Sequence, residues 1–194
     1  MFHMSAISEY PQRHSVSAEE YLRMAEAGVF APDARLELIE GEIIEMAPIG
    51  SPHSGRVNIL NKLFVQRAGD RAIVSVQHPV IASRRSVPQP DLALLAPRAD
   101  SYCDSHPTGS EILLVVEVAD STILFDLGTK VPLYARCGVR EVWIVDVNER
   151  VIHVYRDPEP SGYRKTFTAS GNERVASVAL PDVWVAVRDL WPSD

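Results

Sequence analysis

Three residues of this 194-residue chain pair reactive chemistry with an unusual setting. Glu117 lies inside the apolar run LLVVEVA, where a lone carboxylate is costly unless it is paired, hydrogen-bonded or bound to a metal. Asp91 follows Pro90 at the head of DLALL, and Lys130 closes DLGTK a short way after Glu117. Two carboxylates from neighbouring strands can hold one divalent cation through hard oxygen ligands, and a backbone carbonyl such as that of Val118 can add a third protein ligand. Mg2+ held this way keeps several waters and takes its other contacts from a phosphate. It lowers the pKa of a bound water and neutralises charge in the transition state. Lys130 would orient that water or stabilise the developing charge.

Each residue also has a plainer reading. Pro-Asp is common in turns, so Asp91 could simply end a loop. An arginine could satisfy Glu117 without any catalysis. Lys130 could pair with Asp126 one helical turn away, although an ammonium near a helix N-terminus sits on the wrong side of the dipole.

The elements that would position these groups are legible as patterns. Ser17-Ala18-Glu19-Glu20 is a capping box opening a helix that stops near Gly28. RLELIEGEIIEM is a hairpin turning at Glu40-Gly41. Ser51-Pro52 has the cap-then-proline form of a second helix, and Val57, Leu60, Leu63 and Phe64 give it an apolar stripe up to Gly69. AIVSVQHPVIA and the proline-fenced QPDLALLAP follow as strands, then a polar loop from Tyr102 to Ser110. Glu111–Ala119 is apolar on both faces and therefore central, with Leu113, Val115 and Ala119 on Glu117's side. A helix carrying KVPLYARCG ends at Gly138, and Pro132 in its first turn would put Lys130 near its N-terminus. REVWIVDV and RVIHVYR form a second hairpin, with further strands in YRKTFTA and VWVAVRDLW. This order predicts an α/β (α+β) fold with a mixed β-sheet flanked by helices and additional hairpins.

Composition narrows the function. The chain is long enough for one core, so residues 16–194 are expected to form a single domain after a loose lead-in over residues 1–15, in which Met4 is an equally good start. No apolar run approaches the length of a bilayer span and no secretory signal is evident, which with two cysteines points to the cytoplasm. Nineteen basic against twenty-six acidic residues give a net charge of −7, which argues against passive coating of DNA. It does not argue against carboxylates that collect cations where phosphate is handled. There is no GxSxG elbow, glycine-rich phosphate loop or HExxH motif, so a small-molecule hydrolase of another class finds little support.

PD at Pro90-Asp91, followed by an apolar strand with Glu117-Val118, resembles the PD-(D/E)xK nuclease superfamily. The ordered blocks RLELIEGEIIEMAPIGSPHS, QPDLALL, VVEVADST, DLGTKVPLYARCGVREVWIVDV and VIHVYR are similar to the Uma-two family of that superfamily, over roughly residues 16 to 190. The resemblance implies a restriction endonuclease-like fold, a Mg2+ (or Mn2+) site and DNA as substrate, with Asp91 and Glu117 as metal-binding acids. The superfamily's lysine stands two residues after the second acid, where this chain has Ala119, and the matching block supplies Lys130 instead. Glu37, in LELIEG, matches the further acid that an N-terminal element contributes. Its alternation with Leu36 and Leu38 equally suits a solvent-facing strand acid. His53, in SPHS, matches a family block without an assigned role, and a surface position is its plainer reading.

The expected activity is therefore metal-dependent phosphodiester hydrolysis. The alternative is a catalytically inactive binding or assembly protein on the same fold, suggested by Ala119 and the net acidity. A homodimer is also expected, from the resemblance and from apolar strands around Trp143 and Trp184.

Overall fold

The computed structural model describes residues 13–191. The lead-in up to Gln12, Met4 included, lies outside the described residues. Ser15 and Val16 are already docked, with the Ser15 hydroxyl against Arg85 and Val16 N–H donating to Gly41 O.

Helix α1 (Ala18–Glu26) opens on the Ser17–Glu20 capping box, complete in both directions. Strands β1 (Leu36–Ile39) and β2 (Glu42–Glu45) form the expected hairpin. Its turn residues Glu40 and Gly41 both have positive φ, 51° and 89°, the signature of a tight mirror-image turn. A Cβ at Gly41 would displace the Ser15 hydroxyl and sit on strained backbone at that φ, so glycine is favoured there.

Helix α2 (Ser51–Ala68) is capped by Gly50 rather than Ser51, and no side chain bonds its first amides. The serine is drawn into the helix because Pro52 is accepted anywhere in the first turn, where an amide hydrogen has no intrahelical partner.

The centre is a six-stranded mixed sheet in the order β3 (Ile73–Val76), β4 (Leu92–Leu95), β5 (Ile112–Ala119), β6 (Glu141–Asp146), β7 (Val151–Glu159), β8 (Gly162–Ser170). Only β5 and β6 are parallel, and a helical crossover joins them. The fold class is the expected one. On one face α2 packs Leu60 and Phe64 onto Leu114, Val116 and Trp143, with the short pair β9 (Arg174–Ala176) and β10 (Trp184–Ala186) beside it. On the other face the crossover lays Val131 and Tyr134 over Val115, Ala119 and Ile144.

The parity of β5 holds for Val115, Glu117 and Ala119 but not for Leu113. The register against β4 jumps from Leu94–Leu114 to Leu95–Ile112, so Leu113 is a bulge residue and packs with the α2 face instead.

The crossover departs most from expectation. It begins at α3 (Ile123–Phe125), passes through a π turn over Asp126–Lys130 and continues as α4 (Val131–Arg136). Lys130 is therefore well inside a helical run rather than at its N-terminus. Val131 N–H donates to Asp126 O, five residues back, and Pro132 has no amide hydrogen to restore the α ladder.

Trp143 is fully buried against Phe64, and the guanidinium groups of Arg67 and Arg174 lie over the Trp184 ring at 3.7 Å and 4.2 Å from its centroid. The chain itself covers Trp143, while Trp184 is half-buried beside its two arginines. Among the described residues no helix is long and apolar enough to cross a membrane.

Candidate active site

The site forms where the β4–β5 ladder runs out. Its last pair is Leu92–Val116, and beyond it backbone bonds give way to side-chain bonds. Val118 N–H donates to Asp91 Oδ2 at 2.8 Å, and Asp91 N–H donates to Glu117 Oε2 at 3.4 Å. Each acid is thus tied to the other's strand. Asp91 Oδ1 accepts from Gln77 Nε2 at 3.2 Å, and Oδ2 also meets His53 Nε2 at 2.9 Å.

Behind these acids the crossover contributes Lys130. Its Nζ lies 3.1 Å from Glu117 Oε1 and 3.0 Å from Glu37 Oε1, and the residue is 2% exposed. Tyr134, one turn later, donates its hydroxyl to Glu117 Oε1 at 2.7 Å. Asp126, one turn earlier, is buried and accepts from the Thr122 hydroxyl at 2.6 Å instead of pairing directly with Lys130. The compensation for Glu117 is therefore a lysine and a tyrosine rather than an arginine.

Glu37 is 3% exposed and faces inward. The alternating pattern read as solvent-facing fails because α1 and the segment around Val87 cover Leu38 on one side of the hairpin, while Lys130 covers Glu37 on the other. His53 is likewise a cleft residue, its side chain 12% exposed.

Burial and crowding of like charges shape the electrostatics. Burial, offset in part by Lys130 and reinforced by Asp91, Asp126 and Glu37, pushes Glu117 up to about 8. Burial also raises Glu37 and Asp126 against the opposing pull of Lys130. Asp91 goes the other way: burial acts to raise it, but the His53 bond and charge, the Val118 amide and Gln77 together hold it below the usual carboxylate range. Burial tends to lower Lys130, yet Glu117, Glu37 and Asp126 overcome this and keep it firmly cationic.

Glu37, His53, Asp91, Glu117, Asp126 and Lys130 line a partly open cavity of about 60 Å3, bordered by the β2–α2 segment from Met46 to Gly50 and by Asp120, Ser121 and Thr122 after β5. One water needs about 10–15 Å3 of such space, so a partly hydrated ion fits. Among the described residues no three His, Cys, Asp or Glu side chains are arranged to enclose a metal. Mg2+ is generally bound through only one or two carboxylates and keeps several waters. Val118 also lines the cavity, and a strand residue directs its carbonyl to the same edge as its N–H. Two buried atoms here lack a hydrogen-bond partner, Glu37 Oε2 and His53 Nδ1. Such an atom costs about 1–3 kcal/mol if left unpaired. Four acids share one lysine, and Glu37 Oε2 has no donor, so the chemistry of this donor set fits a cation.

The structure brings together Asp91, Glu117, Val118, Lys130, Glu37 and His53. Sequence reasoning missed Tyr134, which stands one turn after Lys130 at the i+4 spacing that shares a helix face, and read Asp126 only as an ion-pair partner of Lys130. It also missed Arg35 in the cleft wall, which has the same strand parity as Glu37 and whose guanidinium contacts Ala47 O.

Residues 18–188 match the model of the Uma2 family, described as "Putative restriction endonuclease". The chain belongs to this family. No curated protein matches it. Among solved structures, a crystal structure described as a putative nuclease from Anabaena variabilis ATCC 29413 superposes with a TM-score of 0.72 at 15% identity, covering 91% of this chain and 97% of that one. At that identity the likeness establishes the fold that this Uma2 member shares with it.

Proposed function

We propose that the chain is a metal-dependent nuclease that hydrolyses phosphodiester bonds in DNA, using Mg2+ or Mn2+ held by Asp91, Glu117 and the Val118 carbonyl. The observation that carries this reading is the meeting of Asp91, Glu117, Glu37 and Lys130 in one cleft at the end of the β4–β5 ladder. The family description supports the reaction class. The ion would supply Lewis-acid activation of water and charge neutralisation at phosphorus.

The chain's own residues divide the remaining work. Lys130 keeps its proton, so it stabilises developing negative charge electrostatically and takes no proton from water. Glu37 Oε2, buried and unpartnered, is the acceptor that can hold a proton of the attacking water as its oxygen bonds to phosphorus and the leaving oxygen departs. Tyr134 and Lys130 occupy Glu117 Oε1, which leaves Oε2 as the oxygen turned toward Asp91. Among the described residues the Arg35 guanidinium donates to Ala47 O, which leaves further donors for a phosphate.

Nicking of supercoiled plasmid by purified protein with Mg2+ or Mn2+ tests the proposal. Activity should disappear in Asp91→Asn and Glu117→Gln. No nicking with either ion, or full nicking by Asp91→Asn, sinks it. The double ion pairing of Lys130 favours the second reading, a folded but inactive binding protein. Calorimetry that detects no divalent binding by an intact fold would select it.

A further inference from the structure

The His53–Asp91 contact has no part in the roles assigned above. His53 stands in the first turn of α2, opposite the sheet end that carries Asp91, and its Nε2 lies 2.9 Å from Asp91 Oδ2. The same oxygen accepts the Val118 amide at 2.8 Å, and Oδ1 accepts Gln77 Nε2 at 3.2 Å. A carboxylate has about four lone-pair sites, so three fixed donors leave roughly one for a cation. The other two donors come from the sheet and its following segment, whereas His53 alone reaches Asp91 from α2.

We infer that His53 is the positioning residue of Asp91: it donates from Nε2, pins the carboxylate against the Val118 amide, and so fixes which lone pair meets the ion. This rests on the metal-dependent reading of the cleft. Both the imidazolium and the neutral ring protonated at Nε2 supply that donor. Nδ1 is buried without a partner among the described residues, consistent with a ring held for the bond at its other nitrogen. Outer-shell donors of this kind change metal affinity by about 10- to 100-fold when removed.

His53→Ala and His53→Gln separate positioning from other roles. Glutamine extends an N–H donor to about the place of Nε2 but has no ring nitrogen to act as a base. Mn2+ affinity by calorimetry should fall about 10- to 100-fold in His53→Ala and recover to within a few-fold of the parent in His53→Gln. In metal-free crystals of His53→Ala, the Asp91 carboxylate should leave the Val118 amide. Parental Mn2+ affinity in His53→Ala overturns the inference, as does a His53→Gln variant that binds no better than His53→Ala. If the parent protein binds no Mn2+, the nuclease proposal fails instead. The metal-free crystals then decide about His53, and an unmoved Asp91 counts against it.

Discussion

The ammonium of Lys130 lies 3.1 Å from Glu117 Oε1 and 3.0 Å from Glu37 Oε1, bridging the central strand and the N-terminal hairpin from a helix that belongs to neither. Removing one partner of a buried pair is expensive because the other charge is left uncompensated, about 3–5 kcal/mol in measured cases. Here two acids lose their counter-charge together. Glu117, already raised to about 8, can escape by taking up a proton at lower pH. Lys130→Met should therefore abolish nicking and destabilise the metal-free protein much more at pH 9 than at pH 6. Urea denaturation at the two pH values checks this, and equal losses would contradict it.

The same raised acid gives the metal-free protein a defined pH dependence. Glu117 titrates ordinarily at 4.5 and in the fold at about 8, so between these values the native state holds a proton that the unfolded chain has released. Stability from this group is fully present below pH 4.5 and is lost as pH rises through about 8. Asp91 has the opposite sign. Its pKa is depressed below 3.8, so its contribution is present above that value and lost as pH falls through its folded value. The melting temperature without metal should fall between pH 5 and pH 9, and saturating Mn2+ should flatten that limb by favouring ionised Glu117. A metal-free melting temperature that rises to pH 9 would refute the assignment.

Tyr134→Phe isolates one bond of the network. The hydroxyl donates to Glu117 Oε1 at 2.7 Å, and both residues are buried. Hydrogen bonds to a charged group are worth about 1.5–3 kcal/mol, and phenylalanine keeps the ring packing. The loss falls on ionised Glu117, which the missing donor leaves less stabilised. Mn2+ binding should therefore weaken more at pH 7 than at pH 9, as titration calorimetry at the two pH values can show.

Arg35 should affect binding without affecting chemistry. It lines the cleft wall, and its guanidinium contact to a backbone carbonyl leaves other donors for a phosphate. Arg35→Ala should raise KM for a short duplex several-fold with kcat nearly unchanged, the mark of uniform binding lost. An effect confined to kcat would mean that it contacts the reacting phosphate only in the transition state.

What could be read from the sequence follows the range of the forces involved. The capping box at Ser17, the turn at Glu40-Gly41 and the two-sided apolar strand around Glu117 are local patterns, and all three appear as expected. The acids Asp91 and Glu117 stood out because each interrupts or opens an apolar run. Glu37 and His53 were ambiguous because their burial depends on partners far along the chain, Lys130 and Asp91. Leu113 changed face because a bulge against β4 breaks the period of two, and a bulge depends on the partner strand. The Trp143 and Trp184 strands looked uncovered because Phe64, Arg67 and Arg174 reach them from distant elements.

The π turn over Asp126–Lys130 had no local signal beyond Pro132, yet Lys130 stands at its end. A π turn carries one residue more than the α turn it replaces and winds more widely, so the side chains on either side of it stay nearly in the phase that an α turn with one residue fewer would give. Asp126 and Lys130 bracket this extra residue, and both are buried toward the cleft. Gly128 lies between them, exposed, with open space where a Cβ would be. Deleting Gly128 should let the segment close as an ordinary α turn at little cost in stability, because no packed side chain is removed. Lys130 and the Ile123–Phe125 turn should keep nearly their present directions, because an α turn with one residue fewer sweeps almost the same angle as the π turn it replaces. The expected result is an intact far-ultraviolet circular dichroism spectrum, a melting temperature within a few degrees of the parent, and nicking within a few-fold of it. A loss of about 100-fold or more, comparable to the loss of one preorganised electrostatic group, would show that the wide turn itself is needed to hold Lys130 against Glu117 and Glu37.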